Sequence, residues 1–192
     1  MKLLFINCCI RENDSRTLKN YKYFINKYKN KYNDITIKEL KLYNEKIHPL
    51  LKDDIKRREL LIKNKLFNDS MFKYAKDFKE ADKIIIAAPY WDLSFPSLLK
   101  VYFENICVTG LTFKYEDNKL VGLSKFKSLL YITTSGGPIL DDDLLYINKI
   151  SNFLGNGKIY FNKCMNLDVL GSNENKILEN NIIELDKLVE EF

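Results

Sequence analysis

Three short stretches combine residue types that can hold an anionic, flat ligand. The first runs from Cys8 to Thr17 and places Ser15, Arg16 and Thr17 where a helical pattern begins. Free backbone N–H groups and the dipole at a helix start favour an anion, and the two hydroxyls can add hydrogen bonds. Ser15 is equally suited to capping the helix, so this loop alone leaves both roles open. The second stretch is Ala88-Pro89-Tyr90-Trp91-Asp92-Leu93, two aromatics and a carboxylate set against a rigid proline. It offers flat apolar contact and edge hydrogen bonds, or a simple cover for the end of a sheet. The third is Thr134-Ser135-Gly136-Gly137-Pro138, where two glycines permit close backbone approach and N–H groups can face negative charge, although Gly-Gly-Pro is also an ordinary turn.

Other chemistries find little support. The four cysteines, Cys8, Cys9, Cys107 and Cys164, have no C-x-x-C spacing, and His48 is the only histidine, so no metal is expected. Cys8 and Cys9 are neighbours that should point to opposite faces, and reduced thiols are expected. The first loop has neither G-x-G-x-x-G nor G-x-x-x-x-G-K-[ST], which leaves a Rossmann dinucleotide site and a P-loop without support. The net charge of +5 is spread along the chain instead of forming a stripe, so no nucleic-acid partner is expected. No stretch approaches the length of a transmembrane helix. The apolar start is interrupted at Asn7 and followed by charges without a small-residue cleavage site, which reads as a buried strand and predicts a cytoplasmic protein.

The rest of the chain must position those loops. Its 192 residues, 46% hydrophobic with 4 prolines, predict one ordered domain over residues 1–192. Lys2 to Cys9, Lys83 to Ala88 and Lys127 to Thr133 are continuous apolar runs, the pattern of parallel strands buried on both faces. Asp34 to Leu40 alternates like an edge strand, and Lys158 to Asn162 supplies a last one. Helices are predicted from Ser15 to about Tyr32, Asp53 to Ala81, Pro96 to before Gly110, Asp141 to Leu154 with Gly155 as its stop, and Asn173 to Glu191. Strands alternating with helices predict an α/β, flavodoxin-like three-layer sandwich with a five-stranded parallel sheet of order 2-1-3-4-5. In such a sheet ligands bind beyond the strand carboxyl ends, where all three loops fall.

One long segment carries a family resemblance. AAPYWDLSFPSLLKVYFENICVTGLTFKY, Ala87 to Tyr115, resembles the A-A-P-M-Y-N-F segment, S/T-x-L-K helix and A-G-V-T-F-x-Y of FMN-dependent NADH-azoreductases and related flavodoxin-fold NAD(P)H quinone oxidoreductases. The Cys8 to Thr17 loop resembles that family's S-S followed by S-x-S, and ITTSGG its T-S-R-G-G. The resemblance implies an FMN enzyme taking electrons from NADH or NADPH to a small aromatic acceptor such as a quinone or azo compound. It places Cys8, Ser15, Arg16 and Thr17 around the phosphate and ribityl chain, Pro89, Tyr90, Trp91, Asp92 and Leu93 beside the ring, and Thr134, Ser135, Gly136 and Gly137 at its pyrimidine side. A homodimer with the site at the subunit interface is implied likewise. Phe113 and Tyr115 are further stacking candidates, with a core role open for Phe113, and His48 is a loop residue within possible reach of substrate.

Departures from the family pattern stand at Cys8, Asp92 and Ser135, where it has serine, asparagine and arginine. A carboxylate at position 92 can accept a hydrogen bond but cannot donate one. The stretch after Leu154 is also short. Because the flavin carries the chemistry, no side chain is required as an essential acid or base. Two other readings remain at this stage, a flavodoxin-type electron carrier, against which the positive charge counts, and a non-catalytic flavin-binding sensor.

Overall fold

The computed structural model describes residues 1–192. The chain runs through β1 (Lys2–Asn7), α1 (Arg16–Lys31), β2 (Thr36–Lys41), α2 (Lys52–Lys63), α3 (Lys73–Glu80), β3 (Lys83–Ala87) and α4 (Ser97–Ile106). It continues through β4 (Phe113–Glu116), β5 (Lys119–Gly122), β6 (Ser128–Thr134), α5 (Asp141–Leu154), β7 (Lys158–Cys164) and α6 (Glu174–Glu191). Five strands form one parallel sheet in the order β2-β1-β3-β6-β7, and β4 pairs with β5 in a separate antiparallel hairpin. With the hairpin set aside, this is the expected 2-1-3-4-5 order.

The strands read as unbroken apolar runs because both faces of the sheet are covered. Successive side chains alternate faces. Leu4, Ile6 and Cys8 join Ile84, Ile86, Leu129 and Tyr131 in one core, under α3, α4 and α5. Leu3, Phe5 and Cys9 join Ile85, Ala87, Leu130 and Ile132 in the other, under α1 and α6. The neighbouring cysteines therefore belong to different cores. Helix α1 starts where expected, with Ser15 Oγ accepting the Leu18 amide at 3.2 Å. Its stripe of Leu18, Tyr21, Phe24, Ile25 and Tyr28 is buried against the sheet.

One expectation needs correction. The region from Asp53 to Ala81 is two helices, because α2 stops at Asn64, Lys65 adopts φ 55°, and Asp69 caps a new turn by accepting the Met71 amide at 2.8 Å. Asn64, Asn68 and Asp69 are residues whose side chains compete for backbone hydrogen bonds and so end helices readily. Arg57 of α2 donates to Asp69 at 2.8 Å and ties the two segments together. The sequence carries no expectation for the β4–β5 hairpin, whose Asp117-Asn118 turn has φ of 50° and 59°.

The hairpin packs tightly against the end of α5. A Cβ on Gly122 would stand 2.5 Å from the Gly155 nitrogen and the Leu154 carbonyl carbon, both backbone atoms that cannot swing away. Gly155 itself is extended, so it ends α5 by permitting this contact rather than through a left-handed cap. Gly122→Ala is expected to destabilise the fold by about 1–3 kcal/mol, the usual cost of overpacking, read as a lower urea midpoint with unchanged slope.

Candidate functional site

The three loops converge at the carboxyl ends of β1, β3 and β6. Backbone bonds carry the sheet ladder past the strands and fix them: Cys8 N donates to Ala87 O at 2.9 Å, Tyr90 N to Thr134 O at 3.0 Å, and Ser135 N to Cys164 O at 3.0 Å. The Thr17 and Thr134 hydroxyls share a buried hydrogen bond of 2.7 Å, joining the first turn of α1 to the end of β6. Asn7 is fully buried, accepts the Cys9 amide at 2.9 Å and donates to Glu39 at 2.8 Å, which sets the direction of the first loop.

Between the loops lies a cavity of about 540 Å³. Ser15, Arg16 and Thr17 line one side, Pro89, Tyr90 and Trp91 another, and Thr134, Ser135 and Gly136 a third. The Arg16 and Thr17 amides, in the first turn of α1, have no acceptor in the protein. The same holds for the Gly136 and Gly137 amides, whereas the carbonyls of Ser135, Gly136 and Gly137 are all taken by amides of Asn166, Leu167 and Asp168. Unpaired donors at a helix start, facing a cavity with a tryptophan wall, fit a group that is anionic at one end and flat and aromatic at the other.

Four of the expected residues lie elsewhere. Cys8 is buried and, with Asp92, lines a second cavity, while Leu93 points outward and Gly137 lines neither cavity. Cys9 takes the place expected for Cys8 in the first cavity, since its odd parity along β1 puts it on the face of α1. Burial pushes the Cys9 thiol up to about 11, so it is neutral near pH 7. Phe113 is a core residue packed on Phe153 at 4.5 Å, and Tyr115 is exposed on the hairpin. His48 sits in the exposed loop before α2, its Nδ1 at 3.0 Å from Pro49 O.

Some lining residues were not found in the sequence. Asp168 comes from the loop after β7 and receives the Arg16 guanidinium at 2.8 Å, with Glu174 3.4 Å from the same nitrogen. The hydrogen bond from Arg16 holds the Asp168 carboxyl below its ordinary range. Asp168 also sits over Gly136, where a Cβ would lie 2.6 Å from its Oδ2. Arg11 and Lys19 add positive charge at the rim. No local pattern marks Asp168, which reaches the site only through the tertiary fold.

The second cavity, about 730 Å³, shares Ile10 and Trp91 with the first and extends toward Phe95, Asp143 and Tyr146. Its wall begins at a two-residue turn in which Trp91 N donates to Ser94 O at 2.6 Å and Ser94 N to Trp91 O at 2.8 Å. Asp92 and Leu93 occupy its corners with φ of 49° and 64°. Left-handed backbone costs a non-glycine residue about 1–2 kcal/mol, so the surrounding structure must hold this turn. No cluster of three or more His, Cys, Asp or Glu side chains is placed to hold a metal ion.

Fold and site together define a flavodoxin-like α/β protein with an anion cradle at the first helix and an aromatic wall beyond the third strand. The family model described as a flavodoxin-like fold matches residues 1–188. The chain is 35% identical over 199 residues to the FMN-dependent NADH:quinone oxidoreductase of Coprothermobacter proteolyticus, covering 100% of this chain and 99% of the relative. It is 37% identical over 197 residues to the enzyme of that name from Clostridium perfringens, with the same coverage. An FMN-dependent NADH-azoreductase from Bacillus anthracis, solved in complex with FMN, superposes with a TM-score of 0.83 at 26% identity, covering 99% of this chain and 98% of that one. The chain therefore belongs to the flavodoxin-like family of FMN-dependent NADH:quinone oxidoreductases.

Proposed function

We propose that this protein is an FMN-dependent oxidoreductase that takes electrons from NADH, or from NADPH, and delivers them to a quinone, azo compound or similar small aromatic acceptor. The observation that carries this reading is the first cavity, with unpaired Arg16 and Thr17 amides at one end and Pro89, Tyr90 and Trp91 at the other. Ser15, Arg16 and Thr17 bind the phosphate, Thr134, Ser135 and Gly136 border the pyrimidine side of the ring, and Trp91 holds the ring flat. FMN, when bound, supplies the two-electron chemistry, receiving a hydride and passing it on. The chain's own residues would orient the ring, exclude water from the first cavity, and favour negative charge through the Gly136 amide. Relatives named as oxidoreductases support turnover over a simple carrier or sensor.

Residues 1–192 act in this reading as one domain, and the functional unit is a homodimer. The apolar groove between α2, α4 and α5, lined by Ile55, Phe103, Tyr146 and Phe153, is available for that contact. No helix is long and apolar enough to cross a membrane. Four unpaired cysteines support a reducing, cytoplasmic setting.

The test is anaerobic mixing of FMN-loaded protein with NADH and then NADPH, followed by a quinone or azo dye. Flavin absorbance is expected to bleach within the dead time or seconds, and to return when the acceptor is added. Bound flavin that neither nucleotide bleaches would overturn the reading in favour of a carrier or sensor.

A further inference from the structure

The second cavity holds a polar group that the fold leaves unfinished. Asp143, in the first turn of α5, is only 8% exposed, and its Oδ1 accepts a hydrogen bond from Ser94 Oγ at 2.8 Å. Its Oδ2 is buried without any partner, although the residue lines a cavity of about 730 Å³ walled by Trp91, Phe95 and Tyr146. A buried oxygen without a partner is costly, and it is tolerated most readily where a ligand completes it.

We infer that Asp143 is a catalytic acid that binds the carbonyl oxygen of an aromatic acceptor through Oδ2 and protonates it during reduction. This rests on the reductase reading above. For a quinone, a hydride from the reduced cofactor would add to one carbonyl oxygen, its electron pair making the ring aromatic and leaving the other oxygen anionic, and that second oxygen takes the Asp143 proton. The product is the neutral hydroquinone, and the carboxylate left behind regains its proton from water. Ser94 is a positioning residue, occupying Oδ1 and leaving Oδ2 as the oxygen free to take the acceptor.

The surroundings suit an acid. Burial raises the Asp143 carboxyl above its ordinary range and Asp142 adds to this, while the Ser94 hydrogen bond opposes it. Asp92 comes from the turn, Cys8 from the end of β1 and Tyr146 from the next turn of α5. Burial raises the Tyr131 hydroxyl of β6, and the nearby Asp143 charge adds to that rise after Cys8. Lys100, the cation of this cavity, is engaged by Glu104 at 2.7 Å and leaves the carboxyl without a counter-ion.

The test uses a redox-inert aryl ketone, 1-tetralone, titrated into the FMN-loaded full chain from pH 4, near the ordinary carboxyl range, up to pH 9. Trp91, the single tryptophan, reports binding by fluorescence. Binding is expected to weaken about tenfold or more as Asp143 loses its proton with rising pH, because a carboxylate cannot donate to a carbonyl. Asp143→Asn should bind without pH dependence, and Ser94→Ala should move the midpoint to higher pH by removing the bond that favours the carboxylate. In stopped flow, reoxidation of NADH-reduced protein by a quinone should slow about 100-fold in Asp143→Asn, within the range of a lost general acid, and recover in part with Asp143→Glu. Identical pH profiles in wild type and Asp143→Asn, an unmoved midpoint in Ser94→Ala, or reoxidation at the wild-type rate would overturn the inference. Failure of NADH to bleach the wild-type flavin would instead sink the reductase reading, and the ketone titration would still decide the role of Asp143.

Discussion

Ser15→Asp is expected to leave the protein as stable as the parent while lowering FMN affinity by about 100-fold or more. Aspartate caps helices as well as serine does, so the bond now made to the Leu18 amide has a replacement, and a negative charge at the start of α1 is itself favourable. A phosphate in the same cradle would meet that charge at close range. Two unit charges about 4 Å apart repel by about 4 kcal/mol at the effective dielectric near a protein surface, and each 1.4 kcal/mol is tenfold in affinity. Urea denaturation and an FMN titration on the same preparation separate the two roles of Ser15. An unchanged affinity would reduce Ser15 to a helix cap and place the phosphate elsewhere.

The largest stability effect is expected at Phe24. Its ring is fully buried between α1 and the sheet, 5.5 Å from Tyr28 and 5.6 Å from the ring of Phe192, which meets it edge-on. Phe24→Ala should cost about 3–5 kcal/mol, the transfer of the ring plus the cavity left behind. Small domains are stable by only about 5–15 kcal/mol, so the urea midpoint should fall steeply. Saturating FMN should recover part of the loss, because a ligand bound only by the folded state stabilises it by mass action. A cost below about 1 kcal/mol would mean that α1 settles onto the sheet and closes the gap, which the aromatic contacts of Tyr28 argue against.

The sheet was legible because its central strands are buried on both faces, which leaves a trace in the sequence that few other structures share. Ile84, Ile85 and Ile86 in succession can be satisfied only by cover on both sides. The loops were legible for a related reason, since an α/β sheet dictates where ligands bind and the chemistry-bearing residues stood at those places. The hairpin was not, because four-residue strands give too short a pattern, although Asp117-Asn118 is a turn pair tolerant of left-handed backbone. The helix expected from Asp53 to Ala81 is interrupted because Asn64 ends α2 and Asp69 caps the turn that follows, through side chains that compete for backbone hydrogen bonds. Strand parity decided Cys9 over Cys8, and that distinction follows from counting alternate residues along β1. Asp143 and Asp168 could not be found by any local rule, for each becomes part of a cavity only when distant segments meet.

The two cavities meet only at Ile10 and Trp91. The first draws its walls mainly from loops that the sheet ladder fixes, and the second from the starts of α4 and α5. Because so little is shared, substitutions at Phe95, Lys100 or Tyr146 can remodel one chamber while the grip of the other is left intact. A lineage of such proteins is therefore free to exchange what it reduces without rebuilding how it is powered.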